Sequence, residues 1–170
     1  MTNLPSIRSI SALSTADEPA YRDFLTHVEP TDLARRVMGG MAEVPDDVIA
    51  ALLDPAGKFG AGYAARTHDS DELVGVVRLA PTAIRTELEV AILVRSNCKR
   101  SGIGRALMDH AIAVARAGDC AALTAITEVD NQAFIGLATQ LGFSAHWDAI
   151  ERVTMLRLEL RDAHPGPSRG

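Results

Sequence analysis

The stretch from residue 87 to residue 116 constrains the fold of this 170-residue chain more than any other. It reads ELEVAILVRSNCKRSGIGRALMDHAIAVAR. β-Branched residues at 90, 92 and 94 predict a strand, and residues 95–101 form a basic loop. Glycines at 102 and 104 open an apolar-periodic segment that continues to Gly118, which predicts a helix. The stretch is therefore a strand, a tight loop and a helix.

The loop between this strand and helix predicts an anion site. The first N–H groups of a helix have no intrahelical acceptor, and the helix dipole is positive at that end. Lys99, Arg100 and Arg105 add formal positive charge around the same point. We therefore expect a phosphorylated ligand, held by the backbone N–H groups of residues 100–105 and by these three side chains.

Length and composition bound the remaining possibilities. The chain is long enough for one domain, over residues 1–161, and we expect a disordered tail over residues 162–170. A formal net charge of −5 argues against nucleic acid as the partner. The N-terminus lacks a signal-peptide pattern and no apolar run is long enough to span a membrane, so we expect a cytoplasmic protein. The five histidines have no metal-ligand spacing, so no metal is expected.

The order of predicted elements indicates an α/β fold with a mixed sheet. Strands are predicted over residues 6–10, 58–67, 72–80, 86–94, 121–127, 143–147 and 151–160. Helices are predicted from 19 to 28, from Pro30 through Val37 to a stop at Gly39-Gly40, and over 48–53, 102–117 and 131–140. Short turns between the second, third and fourth strands predict an antiparallel meander. The strand–helix–strand step across residues 90–121 predicts a parallel pair. We expect about seven strands, with helices on both faces.

The loop and two later motifs resemble the GNAT N-acetyltransferase family. Residues 99–104, KRSGIG, resemble the family segment Arg/Gln-x-x-Gly-x-Gly/Ala, and Asn131 with Leu141-Gly142-Phe143 resembles its next helix. The element order agrees over about residues 8–158. The resemblance implies the GNAT acyl-CoA N-acyltransferase fold and acetyl-CoA as acyl donor. Within the family, residues 88–96, 130–133 and 29–33 are most similar to the Pat-type protein lysine acetyltransferases, which modify AMP-forming acyl-CoA synthetases.

The resemblance also implies which residues contact acetyl-CoA. In this family the strand after Glu89 carries a bulge, and the pantetheine arm pairs with its backbone in the resulting gap. A backbone N–H near Leu93 is then placed to donate to the thioester oxygen. Asn131 would contact the pantetheine arm, and Phe134 would pack beside it or in the core. The expected contacts are Ile92, Leu93, Val94, Lys99, Arg100, Ser101, Gly102, Ile103, Gly104, Arg105, Asn131 and Phe134.

The acceptor amine needs a general base, because a lysine ammonium with a pKa of ~10.4 is mostly charged at neutral pH. Glu89 lies on an otherwise apolar strand and matches the Pat-type position of the catalytic glutamate. Glu87 lies on the same side of the strand and is the alternative base. Either carboxylate could act directly or through a water. A solvent-facing structural role for Glu89 stays open.

Two positions depart from the family pattern. Lys99 stands where the family usually has Arg or Gln, which keeps a charge but loses a planar donor. Ala138 stands where many members have a tyrosine that protonates the leaving thiolate. The Pat-type pattern tolerates alanine there.

The sequence gives fewer signals for the site that binds the acceptor. We expect it in residues 29–53 and in the loop after Trp147, where an acidic rim of Glu29, Asp32, Glu43, Asp46 and Asp47 suits a cationic amine. The expected partner is a lysine-bearing protein, for which the resemblance implies an acyl-CoA synthetase, and the chain is expected to be a monomer or a homodimer. A small-molecule amine as acceptor, or an acetyl-CoA-sensing module without catalysis, are the alternatives.

Overall fold

The computed structural model describes residues 6–36 and 44–161. Seven strands form one sheet in the order β1-β2-β3-β4-β5-β7-β6. They are β1 (Ile7–Ala12), β2 (Ala61–Thr67), β3 (Leu73–Pro81), β4 (Glu87–Val94), β5 (Ala122–Glu128), β6 (Ser144–Asp148) and β7 (Val153–Glu159). The predicted mixed seven-stranded sheet is confirmed, with strand ends that differ from the predicted ones by at most three residues.

Five α-helices accompany the sheet in the described residues. They are α1 (Glu18–Thr26), α2 (Pro30–Arg36), α3 (Asp46–Leu53), α4 (Ile103–Ala117) and α5 (Gln132–Gln140). The predicted end of α2, at Val37 and Gly39-Gly40, lies outside the described residues, as does the predicted tail after residue 161. Among the described residues, no helix is both long and apolar enough to cross a membrane.

The sheet has the predicted connectivity. Strands β2, β3 and β4 pair antiparallel as a meander, and β4 pairs parallel with β5. The parallel step needs a crossover, and residues 95–121, which include α4, supply it. The β3–β4 turn differs in one detail from expectation. Pro81, which lies just beyond the strand predicted over residues 72–80, is the last residue of β3 and pairs with Leu88.

Apolar clusters lie on both faces of the sheet. On one face, which we call the α4 face, Ile103, Leu107 and Met108 of α4 are almost fully buried. A Cβ on Gly75 of β3 would lie 2.8 Å from Leu107 Cδ1, so glycine lets α4 approach this strand closely. On the other face, the α1 face, Phe24, Leu33 and Leu93 belong to a second cluster. The predicted helices on both faces are therefore confirmed.

Candidate active site

The parallel ladder between β4 and β5 is short and then opens. Its paired residues are Glu87 with Ala122, Leu88 with Leu123, and Glu89 with Thr124. Residues 90–94 of β4 and 125–128 of β5 are both in strands, yet they do not pair with each other. The central sheet therefore splays after Glu89, and a gap separates the two strands.

Alternation along β4 decides which of its backbone groups face this gap. The Arg95 N–H donates to the Val74 carbonyl at 2.9 Å, so the odd-numbered residues of β4 direct their N–H and C=O groups toward β3. On the opposite side, the Leu88 carbonyl accepts from the Thr124 hydroxyl of β5 at 3.5 Å. The even-numbered groups, those of Val90, Ile92 and Val94, therefore face the gap. They present a strand edge to which an extended ligand can pair.

This alternation corrects two expectations. The β3–β4 register is regular from Leu88 to Val94, without the bulge that the family resemblance led us to expect. The splay arises instead from the end of the β4–β5 ladder. The N–H of Leu93 points toward β3, so the gap-facing N–H groups nearest to it are those of Ile92 and Val94.

A groove of about 810 Å³ runs along the gap. Its walls come from β4, the loop before α4, the start of α4, the end of β5 and one side of α5. The lining residues are Asp32, residues 90–94, Cys98, Lys99, Arg100, Gly102, Gly104, Arg105, Ile126, Thr127, residues 131–134, Gly136, Leu137 and Gln140. The groove thus joins the strand edge to the basic loop.

The loop before α4 has the backbone geometry of an anion site. Arg100 has a φ of 59° and Gly102 a φ of 85°, so the chain turns twice in the left-handed region before the helix begins. The N–H of Ala106 donates to the Gly102 carbonyl as the first turn forms, which leaves the N–H groups of residues 103–105 at the helix start. A Cβ on Gly102 would meet no atom within 4 Å, so the space beside it is open for a ligand. These features fit a phosphate group.

The three basic side chains of the loop differ in their surroundings. The Lys99 ammonium lies 2.5 Å from Asp32 Oδ2 and 3.6 Å from Glu29 Oε2. The Arg105 guanidinium lies 3.8 Å from Asp109 Oδ2 on the same helix, where both side chains are exposed. Arg100 is exposed and has no carboxylate within ion-pair distance among residues 6–36 and 44–161. The positive charge of the loop is therefore already partly compensated by the protein.

The groove contains most of the residues expected to contact acetyl-CoA. Ser101 and Ile103 are the exceptions. The Ser101 hydroxyl donates to the Cys98 carbonyl, and Ile103 is only 1% exposed because its side chain belongs to the α4-face core. These two residues can offer the ligand only backbone groups. Phe134 lines the groove and also packs against the α4-face core, so the structure places it in both expected positions.

Asn131 lines the groove at the start of α5, but its side chain does not cap the helix. Its amide donates to the Thr127 hydroxyl at 2.9 Å. The bond links the end of β5 to the start of α5.

Sequence reasoning missed one wall of the groove. Ala133, Gly136, Leu137 and Gln140 lie along one side of α5 and face the gap. Their spacing of three, one and three residues follows the helical period, and this was the signal available in the sequence. Ile126 and Thr127 of β5 carried no such signal. They face the groove only because β4 stops pairing with β5 before these residues.

The two candidate bases have different environments, although both side chains lie on the α1 face of β4. Glu87 accepts a hydrogen bond of 2.7 Å from Arg157, and this bond holds the pKa of the Glu87 carboxyl below its usual value. Glu89 is half-buried at the last paired position of the ladder, directly before the groove residue Val90. In the described part of the chain no ion pair engages Glu89.

The expected acidic rim is largely neutralised within the protein. Glu29 and Asp32 lie against Lys99, and Asp46 lies 2.7 Å from Arg22. Asp47 is exposed, and Glu43 lies outside the described residues. Only part of this rim is available to attract a cationic acceptor.

Two further side chains can be assigned structural roles. Ala138 is fully buried in the α4-face core and does not line the groove. Cys98 lines the groove but is buried, and burial raises the pKa of its thiol, which disfavours a nucleophilic thiolate. Within the described residues, no group of three or more potential ligands is placed to bind a metal.

The splayed parallel pair and the basic loop define an α/β site suited to an extended, phosphorylated ligand, and the comparisons with known proteins specify the family. The sequence profile of the Acetyltransferase (GNAT) family matches residues 22–143. This match covers more than half of the chain, so the protein belongs to the GNAT acetyltransferase family.

Solved structures share this fold at low sequence identity. The GNAT domain of S. lividans PAT is 21% identical, with 89% of each chain covered and a TM-score of 0.80. A putative acetyltransferase from Salmonella typhimurium, solved with its cofactor acetyl-CoA, is 19% identical, with 95% of this chain and 98% of that chain covered and a TM-score of 0.71. The ribosomal-protein-S18-alanine N-acetyltransferase from Escherichia coli is 19% identical, with coverages of 94% and 97% and a TM-score of 0.69.

Proposed function

We propose that this protein transfers the acetyl group of acetyl-CoA to a lysine side chain of another protein, with Glu89 as general base. The gap between β4 and β5 carries the proposal. Its free strand edge, formed by Val90, Ile92 and Val94, suits the two amides of a pantetheine arm. The basic loop at one end of the same groove suits the pyrophosphate of coenzyme A.

The chemical steps follow from the positions of the chain's own groups. The Glu89 carboxylate, directly or through a water, accepts a proton from the acceptor ammonium. The neutral amine attacks the thioester carbon and the carbon–sulfur bond breaks. The amine nitrogen gives up its extra proton to the departing sulfur, so coenzyme A is released as the thiol and the nitrogen becomes an amide. A gap-facing N–H, that of Ile92 or Val94, donates to the carbonyl oxygen as negative charge develops on it. No covalent acetyl-enzyme is required.

Glu89 is a better candidate than Glu87 because of Arg157. A carboxylate bonded to a guanidinium is stabilised in its charged form and is a weaker base. Glu87 has such a partner, and its side chain is only 11% exposed. Glu89 stands beside the start of the groove, and its register partner across the ladder is Thr124.

A protein acceptor is supported by the surface next to the gap. Ile126 lines the groove and is 50% exposed, its register partner Met155 is 44% exposed, and Ile150 in the β6–β7 turn is 90% exposed. An open apolar surface of this kind suits a macromolecule better than a small amine, which is usually enclosed by its pocket.

The test is an acceptor panel with acetyl-CoA as donor and thiol release as the signal. The panel contains an AMP-forming acyl-CoA synthetase, lysine-containing peptides and polyamines. We expect acceptor-dependent thiol release with the protein acceptor, and an acetylated lysine in its mass spectrum. Turnover confined to small amines would contradict the protein-lysine assignment. Acetyl-CoA binding without acceptor-dependent thiol release across the panel would indicate a sensor.

A further inference from the structure

The contact between Lys99 and Asp32 joins the basic loop of the groove to helix α2. Asp32 and Lys99 both line the groove, and their charged atoms are 2.5 Å apart. The Asp32 side chain is only 18% exposed, whereas Lys99 is 43% exposed. A half-buried carboxylate thus stands beside the loop that is expected to receive a phosphate.

The backbone that carries the two carboxylates is anchored to the loop, whereas the lysine side chain is long and flexible. The Glu29 N–H donates to the Ser96 hydroxyl at 2.8 Å, and the Ser96 N–H donates to the His27 carbonyl at 3.0 Å. Leu33, the residue after Asp32, is buried in the α1-face core. These contacts hold the start of α2 against residues 95–99. Lys99 has a long, flexible side chain, so it can change partner without moving the helix.

The charges favour such an exchange. The hydrogen bond with Asp32 is the main cause that raises the pKa of Lys99, so its ammonium stays charged. A pyrophosphate entering the loop brings negative charge close to Asp32 and Glu29, and the two anionic groups compete for one cation. Asp32 therefore opposes phosphate binding in two ways, by repelling the ligand and by engaging Lys99.

We propose that Asp32 is a positioning residue that limits the affinity for the pyrophosphate-containing donor, because Lys99 must exchange Asp32 and Glu29 for a donor phosphate. The inference rests on the proposed use of acetyl-CoA. Asp32 keeps the affinity for acetyl-CoA below the value that the loop alone would give. Release of coenzyme A after transfer is correspondingly easier, since Asp32 pairs with Lys99 again.

The experiment measures donor binding by calorimetry in wild type and in Asp32→Asn, with two ligands. Acetyl-CoA contains the pyrophosphate, and S-acetylpantetheine does not. We expect Asp32→Asn to bind acetyl-CoA about tenfold more tightly, with unchanged affinity for S-acetylpantetheine. The KM for acetyl-CoA should fall in parallel. Asp47→Asn, which removes the same charge from an exposed position of α3, is the matched control and should change neither affinity.

A second variant covers the case in which Asp32→Asn does not fold. Glu29 is 62% exposed and 3.6 Å from Lys99, so Glu29→Gln should fold and tighten acetyl-CoA binding about two- to threefold. The gain from Asp32→Asn should also shrink when Lys99→Gln is added, because part of the effect acts through the lysine.

The outcomes separate this inference from the proposed function. If wild type binds no acetyl-CoA, both fail. If wild type binds acetyl-CoA but the variants bind it equally or more weakly, only the role of Asp32 is overturned. Equal tightening of acetyl-CoA and S-acetylpantetheine would also overturn it, since the effect would then not involve the pyrophosphate.

Discussion

The two halves of β4 differ in what lies on their β5 side. Residues 87–89 pair with β5, and the carboxylate of Glu87 accepts a hydrogen bond from Arg157 of β7, the strand on the other side of β5. Residues 90–94 have the same regular pairing with β3 but face a groove instead of β5. One continuous strand therefore serves as sheet interior at one end and as an open edge along a groove at the other. Glu89 stands at the boundary between them.

This difference teaches that the site is made by ending a ladder and not by distorting a strand. A bulge would have changed which side chains face each side of β4, whereas the regular register keeps Glu87, Glu89 and Leu93 on one face. The position of Glu89 relative to the groove therefore follows from the regular alternation of residues along β4. Four predictions test this comparison, in order of expected effect.

Replacing the boundary carboxylate should have the largest effect. Glu89→Gln keeps the size of the side chain but cannot accept the proton, so turnover should fall about 10²- to 10⁴-fold. Acetyl-CoA binding should stay near the wild-type value, because Glu89 does not line the groove. Steady-state kinetics of thiol release and calorimetry with acetyl-CoA measure the two quantities.

Glu87→Gln is the matched control for Glu89→Gln. It lies two residues away on the same face, and it should lose less than about tenfold in turnover, since its role is to bind Arg157. An inactive Glu87→Gln together with a nearly wild-type Glu89→Gln would reverse the assignment of the base.

Proline substitutions should distinguish the gap-facing N–H groups from the sheet-facing ones. Val94→Pro removes an N–H directed into the groove, as at an edge strand, so the protein should fold while turnover falls about 10- to 100-fold. Leu93→Pro removes an N–H directed toward β3 and should lower the free energy of unfolding by about 3 kcal/mol or more. Denaturant unfolding of both variants gives the comparison, and equal destabilisation would show that the alternation is misassigned.

Filling the open space in the loop should weaken donor binding moderately. Gly102 has a φ of 85°, and an added Cβ would point into open space without contacting the protein. Gly102→Ala should therefore cost about 1 kcal/mol of stability through its backbone conformation alone. Donor affinity should fall about tenfold, because the Cβ occupies ligand space. An unchanged donor affinity would place the pyrophosphate elsewhere.

The smallest expected effect concerns the paired half of β4 and depends on pH. The pKa of Glu87 is lower in the folded protein because Arg157 binds its carboxylate. A lowered carboxyl pKa stabilises the fold above the pKa of the unfolded chain, and this contribution disappears as the pH falls through the folded value. Arg157→Met should therefore be less stable than wild type near neutral pH, with the difference shrinking below about pH 4.

Urea unfolding at several pH values measures the effect of Arg157→Met. Arg85→Met, at an exposed position before β4, is the control and should show no such pH dependence. A difference that stays constant down to acid pH would mean that Arg157 stabilises the protein by packing and not through Glu87.

Much of the fold could be predicted from the sequence because its signals are local. The turns after Thr67 and after Pro81 are short, so β2, β3 and β4 could only return as neighbours. The strand before residue 95 and the strand after residue 121 are joined by one helix, which requires a parallel pair. The glycines at 102 and 104 and the nearby basic residues indicated the anion site for the same reason. Each of these features depends on residues close together in the chain.

The details of the site depended on residues far apart. Asp32 and Lys99 are separated by 67 positions, and no pattern in either segment predicts that they meet. Asn131 has the residue type of a helix cap, yet its amide finds the Thr127 hydroxyl instead. Arg157 joins Glu87 across 70 positions and so separates two glutamates that are equivalent in the strand pattern.

The sequence alone determined the strand–loop–helix unit of residues 87–116 and predicted an anion site at its loop, because hydrophobic periodicity, glycine and helix ends act over a few residues. Only the tertiary structure decided where the β4–β5 ladder stops, which N–H groups face the groove and which carboxylate is engaged by an arginine. Those outcomes depend on how β5 and β7 meet β4 in space. The sequence near each residue does not show how far apart these strands lie.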